Sequence, residues 1–98
     1  MAGSIISLAT ASGMTATFRR NFPNVTTAVY YTSNVYTDIM SQKGCVGIRI
    51  YNAVDASGNM TNVLVGVDAN GNDMYNGKVY DAGTLCPPNC STSNPLNS

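Results

Sequence analysis

The sequence predicts an α+β fold, in which a small antiparallel sheet packs against an N-terminal helix and a short second helix. Three observations predict it. Apolar residues recur at helical spacing from Leu8 to Phe22, alternating β-branched residues fill Cys45–Val54 and Thr61–Val67, and the turn cluster Asp55-Ala-Ser-Gly-Asn59 separates those two runs. A chain of 98 residues falls within one ordinary domain, so residues 1–98 are expected to share a single modest core.

Leu8, Ala11, Met14, Phe18 and Phe22 line one face of the first helix, with Ser, Thr and Arg on the other. Ser7 is the expected N-cap, Arg19-Arg20 suit the negative end of the dipole, and Pro23 stops the helix. Gly13 and several threonines make it intrinsically weak, so packing must hold it. Val25–Tyr31 reads as extended. Thr32-Ser33-Asn34 then precedes a short helix through Val35–Met40, with Ser33 or Asn34 as the expected cap and an end near Gly44. In the strand Cys45–Val54, Val46, Ile48, Ile50 and Asn52 share a face, and Cys45, Gly47, Arg49, Tyr51 and Ala53 share the other. Residues 45–67 thus form a hairpin, followed by the turn Asp68–Asp73 and a short strand Lys78–Tyr80. Residues 1–6 and 84–98 are expected to be arms or tails ordered by contacts with other subunits.

Charge narrows the function. Five Lys/Arg balance five acidic residues, net charge is zero, and charged residues make up 10% of the chain, against roughly 25% in ordinary soluble domains. Glu, His and Trp are absent, while Asn, Thr and Ser supply nearly a third of the residues. Without His or Glu, acid–base work would fall to Asp38, Asp55, Asp68, Asp73 and Asp81 alone, and no Ser-His-Asp or Cys-His nucleophile can be assembled. No enzyme, catalytic residue or cofactor is expected. Five scattered cations give no basic footprint for nucleic acid, and no apolar run is long enough for a membrane span. The opening residues lack a basic segment and a continuous apolar core, so no Sec signal peptide is expected, and a cytoplasmic location is favoured over non-Sec export.

Three motifs carry candidate chemistry. Asp68, Asn70, Asn72 and Asp73 offer oxygens at the alternating positions of a calcium loop. However, Asp73 stands where a glycine belongs and Val79 where a bidentate Glu belongs, so a plain turn is the stronger reading and no metal is expected. Cys86 and Cys90 flank two prolines and can bridge in an oxidising compartment. Cys45 reads as a small core residue, and three thiols without His fall one ligand short of a closed zinc site. Tyrosines outnumber phenylalanines six to two; Tyr30, Tyr31, Tyr51, Tyr75 and Tyr80 are candidates for contact with another protein, since tyrosine combines apolar area with a polar tip.

Gly44-Cys-Val-Gly-Ile-Arg-Ile-Tyr51, Val63-Leu-Val-Gly-Val-Asp-Ala-Asn-Gly-Asn-Asp-Met74 and Cys86-Pro-Pro-Asn-Cys90 together resemble motifs of small uncharacterised proteins of Bacteroidota such as flavobacteria. The resemblance covers roughly residues 33–90 and implies no function. Those relatives tend to carry Glu and Lys on their helical parts, where this chain has Ser, Thr and Asn. The expected function is therefore structural self-assembly into a homopolymeric filament, tube or layer, with copies of the chain as its partners. The alternative is a small ligand- or protein-binding module that uses the Asp55–Asn59, Asp68–Asp73 and Cys86–Cys90 loops.

Overall fold

Ser7 starts the first helix. In this computed structural model, which describes residues 2–98, its hydroxyl oxygen accepts from the Thr10 backbone N–H at 3.0 Å, satisfying a donor that a helix start leaves open. The helix α1 runs Leu8–Asn21, with Arg19 and Arg20 in its last turn. Strand β1, Ala28–Tyr30, leads to helix α2, Ser33–Met40. Strands β2, Cys45–Val54, and β3, Met60–Asp68, form the long antiparallel hairpin, with a register irregularity between Cys45 and Gly47. The two-residue β4, Val79–Tyr80, pairs with the other side of β3.

The last strand, β5 at Thr84–Cys86, does not join that sheet; it pairs antiparallel with β1. The α+β fold therefore holds two small antiparallel sheets, β2-β3-β4 and β1-β5. β3 is central to its sheet, which is why Leu64, Val65 and Gly66 are buried in succession. β2, the longest strand, is an edge.

The core lies where α2 covers β2 and β3. Ile39 and Leu64 are fully enclosed, Tyr31 closes the cluster, and Val29, Val35, Cys45, Ile48 and Tyr80 pack around it. The burial of Tyr31 corrects the expectation that it is an interface residue. Its ring lies against Gly83 and its hydroxyl donates to the Asn62 carbonyl at 2.9 Å, so the polar tip is satisfied inside the chain. A methyl at Gly83 would come within 2.7 Å of the Tyr31 ring. It would meet Val29 Cγ1 still more closely, so Gly83→Ala should cost about 1–3 kcal/mol by overpacking, measured as a lower urea midpoint; unchanged stability would mean that both Val29 and the ring yield.

α1 spans the expected residues but does not turn the expected face inward: Ala11, Ser12, Thr15, Ala16, Phe18 and Arg19 are half-buried, whereas Leu8, Met14 and the C-cap Phe22 are exposed. None of its residues is buried. It is tied to the end of the chain: the Ser12 hydroxyl donates to the Pro95 carbonyl at 2.7 Å, and Arg19 donates to the Leu96 and Ser98 carbonyls at 2.8 Å each. Residues 84–98, anticipated as an arm held by another subunit, thus make hydrogen bonds within their own chain, through β5 and through α1. Residues 2–6 differ, lying outside any helix or strand and exposed, with Ile5 at 100%.

The packing leaves much surface uncovered. The chain exposes 7001 Å², where a compact monomer of 10.3 kDa exposes about 5400 Å². Its radius of gyration is 15.0 Å, against about 13 Å for a compact domain of this length.

Candidate functional site

The two hairpin-type turns use one chemistry. Asp55-Ala-Ser-Gly-Asn59 and Asp68-Ala-Asn-Gly-Asn72 share a pattern, and in each the aspartate Oδ1 accepts from the backbone N–H groups two and four residues on, at 2.9–3.0 Å. Gly58 and Gly71 supply the positive φ, +86° and +81°, that these turns require. Asp68 is therefore engaged with its own turn. Asp73 faces elsewhere: Arg49 reaches its Oδ1 at 2.5 Å and the Tyr51 hydroxyl donates to its Oδ2. The calcium candidates thus divide between a turn and a surface ion pair, and no group of three His, Cys, Asp or Glu that could hold a metal occurs among the described residues.

Neighbouring carboxylates perturb the tyrosines. Donation to Asp73 raises Tyr51 above its ordinary value, and Tyr51, with Arg49 adding to the effect, lowers Asp73 against partial desolvation. Tyr80 donates to Asp38 at 2.6 Å and is likewise raised. Tyr31 is raised first by burial, with Asp81 contributing. The lowered Asp73 supplies stability that is present above the ordinary carboxylate pKa, about 4, and is lost as pH falls through its folded value. The raised tyrosines supply stability that is present below about pH 10 and is lost as pH rises through their folded values. Urea midpoints should therefore hold level between those limits and decline beyond both. Tyr51→Phe should move the Asp73 carboxyl back up, as read by NMR titration; an unmoved Asp73 would assign its depression to Arg49.

No protein-family model matches the chain, and neither a curated protein nor a solved structure matches it. Function must be read from the surface. Among the described residues, no helix is long and apolar enough to cross a membrane. Tyr30 and Tyr75 are exposed at 64% and 72%, Tyr51 is exposed on β2 and Tyr80 is half-buried. Cys86 and Cys90 form a disulfide, with Cα atoms 4.8 Å apart, and the buried Cys86 accepts from Thr27 N–H through its carbonyl at 2.8 Å. Cys45 is a free thiol whose sulfur donates to the Gly47 carbonyl.

Two surface features stand out. The β2 edge carries exposed Val46, Ile50, Tyr51 and Val54. Its one cation, Arg49, is held by Asp73, and Lys78 stands just before β4 on the opposite side of the sheet, 3.8 Å from Asp38. On the other side, a groove of about 1090 Å³ opens between α1, the outer face of β1-β5 and the C-terminal segment, lined by Met14, Phe18, Ala28, Tyr30, Cys86 and Leu96. Sequence reasoning missed this groove because the tail docks through its backbone carbonyls, which leave no side-chain signature. It also missed Gln42, whose side chain donates to the Ile39 carbonyl and accepts from Lys78 N–H, both at 2.8 Å, fixing the approach to β4.

Proposed function

We propose that this chain is a structural subunit that assembles with copies of itself into a homopolymeric filament, tube or layer. The observation that carries the reading is the surplus surface. The roughly 1600 Å² above a compact monomer equals what a subunit covers when it meets two neighbours through standard interfaces of about 800 Å² per side. The surplus is also apolar. Among the described residues, five large or sulfur-bearing apolar residues form the buried core, while sixteen large apolar side chains are exposed, well beyond scattered single exposures.

The β2 edge supplies one such face. It is ten residues long, and unguarded apolar edges of that length template pairing with another strand. Zero net charge removes the repulsion that keeps small proteins apart. The loops that a binding module would use have their Asp55 and Asp68 carboxylates directed to their own turns, so assembly is the better-supported reading. The Cys86–Cys90 bond favours an oxidising compartment over the cytoplasm anticipated from the opening residues.

The test is analytical ultracentrifugation and negative-stain electron microscopy of the purified chain across micromolar concentrations. Polymers that grow with concentration are expected. A 10.3 kDa species throughout that range would overturn the proposal.

A further inference from the structure

We infer that the groove between α1 and the β1-β5 sheet receives residues 2–6 of a second copy, with Ile5 and Ile6 as its anchors. The inference rests on the assembly reading and names the contact that would propagate it. Donor and acceptor are complementary in three respects.

The first is packing. Residues 2–6 lie outside any helix or strand, Ile5 is fully exposed and Ile6 is 49% exposed; an apolar pair on a neutral segment is driven out of water wherever an apolar surface accepts it. The groove offers Met14, Phe18, Tyr30 and Leu96, of which Met14, Tyr30 and Leu96 are themselves exposed at 63%, 64% and 44%.

The second is charge. Ala2-Gly-Ser-Ile-Ile6 has no ionisable side chain, and the groove's single charged lining residue, Arg19, already donates to the Leu96 and Ser98 carbonyls. The segment brings no side-chain charge into the groove, and the Arg19 guanidinium keeps hydrogen-bond acceptors on its own chain, so the contact leaves no charged side chain without a hydrogen-bond partner.

The third is area and direction. The surplus surface calls for a second face beside the β2 edge, and the groove lies against the β1-β5 sheet with no residue of β2 in its lining. Five residues that straighten on docking span up to about 17 Å, enough to cover a groove wall formed by the Met14–Phe18 stretch of a helix, about 6 Å of rise, with length to reach the tail. Because the segment and the groove are different patches of one chain, the contact is heterologous. Repeated without closure, it propagates an open polymer.

The experiment uses the full chain in a Cys45→Ala background, leaving the Cys86–Cys90 bond intact. One preparation carries Ile5→Cys, the other Met14→Cys, and a short thiol-to-thiol cross-linker is added to each alone and to their mixture. A two-chain product specific to the mixture is expected. Separately, Ile5→Asp with Ile6→Asp should raise the concentration needed for assembly by at least roughly 100-fold, the loss expected when the burial of two large aliphatic side chains is forfeited. If polymers form but no mixed product appears, this inference fails and the assembly reading stands. A chain carrying both cysteines that links only to itself shows residues 2–6 folded back into their own groove, which overturns the inference too. If no polymer and no mixed product form at any concentration, both fall.

Discussion

Ile50→Lys is expected to abolish assembly while leaving the subunit folded. Ile50 sits opposite Leu64 in the β2–β3 register, yet it is 58% exposed whereas Leu64 is enclosed. The subunit therefore gains little from it, and a surface substitution of this kind shifts stability by about 0.5 kcal/mol or less, a few degrees in Tm for a domain this size. An interface pays differently. Sealing an unpartnered ammonium between two strands costs several kcal/mol, and each 1.4 kcal/mol is about tenfold in affinity, so assembly should need roughly a thousandfold more protein. Sedimentation beside circular dichroism reads both quantities. Polymer persisting at the unmodified protein's concentration would remove β2 from the interface.

The second large effect concerns folding. Ile39→Ala should destabilise the chain by about 2–5 kcal/mol, the usual cost of emptying an enclosed aliphatic site. Ile39 is wholly inaccessible and is one of only two fully enclosed large side chains among the described residues, so few neighbours can collapse into the space. Against a total of about 5–15 kcal/mol, this is a large fraction, and Tm should fall by at least about 10 °C. The scan belongs below the assembly concentration, because association stabilises whatever it binds. A fall of under about 3 °C would show that the cluster around Ile39 does not hold the fold.

The hairpin was legible because its signals are local: β-branched runs mark β2 and β3, and Asp-Ala-x-Gly-Asn sets both turns. The faces of β2 were not, because Cys45 and Ile48, expected on opposite faces, both pack on the core across the irregularity between Cys45 and Gly47. α1 was legible for a similar reason, with Ser7 capping its start and Pro23 following its end. β5 was not, since Thr84-Leu-Cys86 is three residues before a proline and its partner β1 lies far back in the chain. Tyr31 was misplaced as an interface residue because its burial depends on Gly83, on that same distant segment. As for the candidate site, the missing charge pointed to surfaces awaiting cover, but where they lie depends on how the tail meets α1, a contact made to main-chain carbonyls that any residue could offer.

The separation of the two sheets has a kinetic consequence. β2 and β3 are joined by one short turn, whereas β1 and β5 enclose the whole hairpin between them, and closing the longer loop carries the larger entropic cost. The hairpin should therefore order first, as pulsed hydrogen exchange would register by earlier protection of β2–β3 amides than of β1–β5 amides; simultaneous protection would refute it. A nascent chain would then display its adhesive edge before the groove exists, so folding and polymerisation would compete for the same molecule during an interval set by the slower sheet.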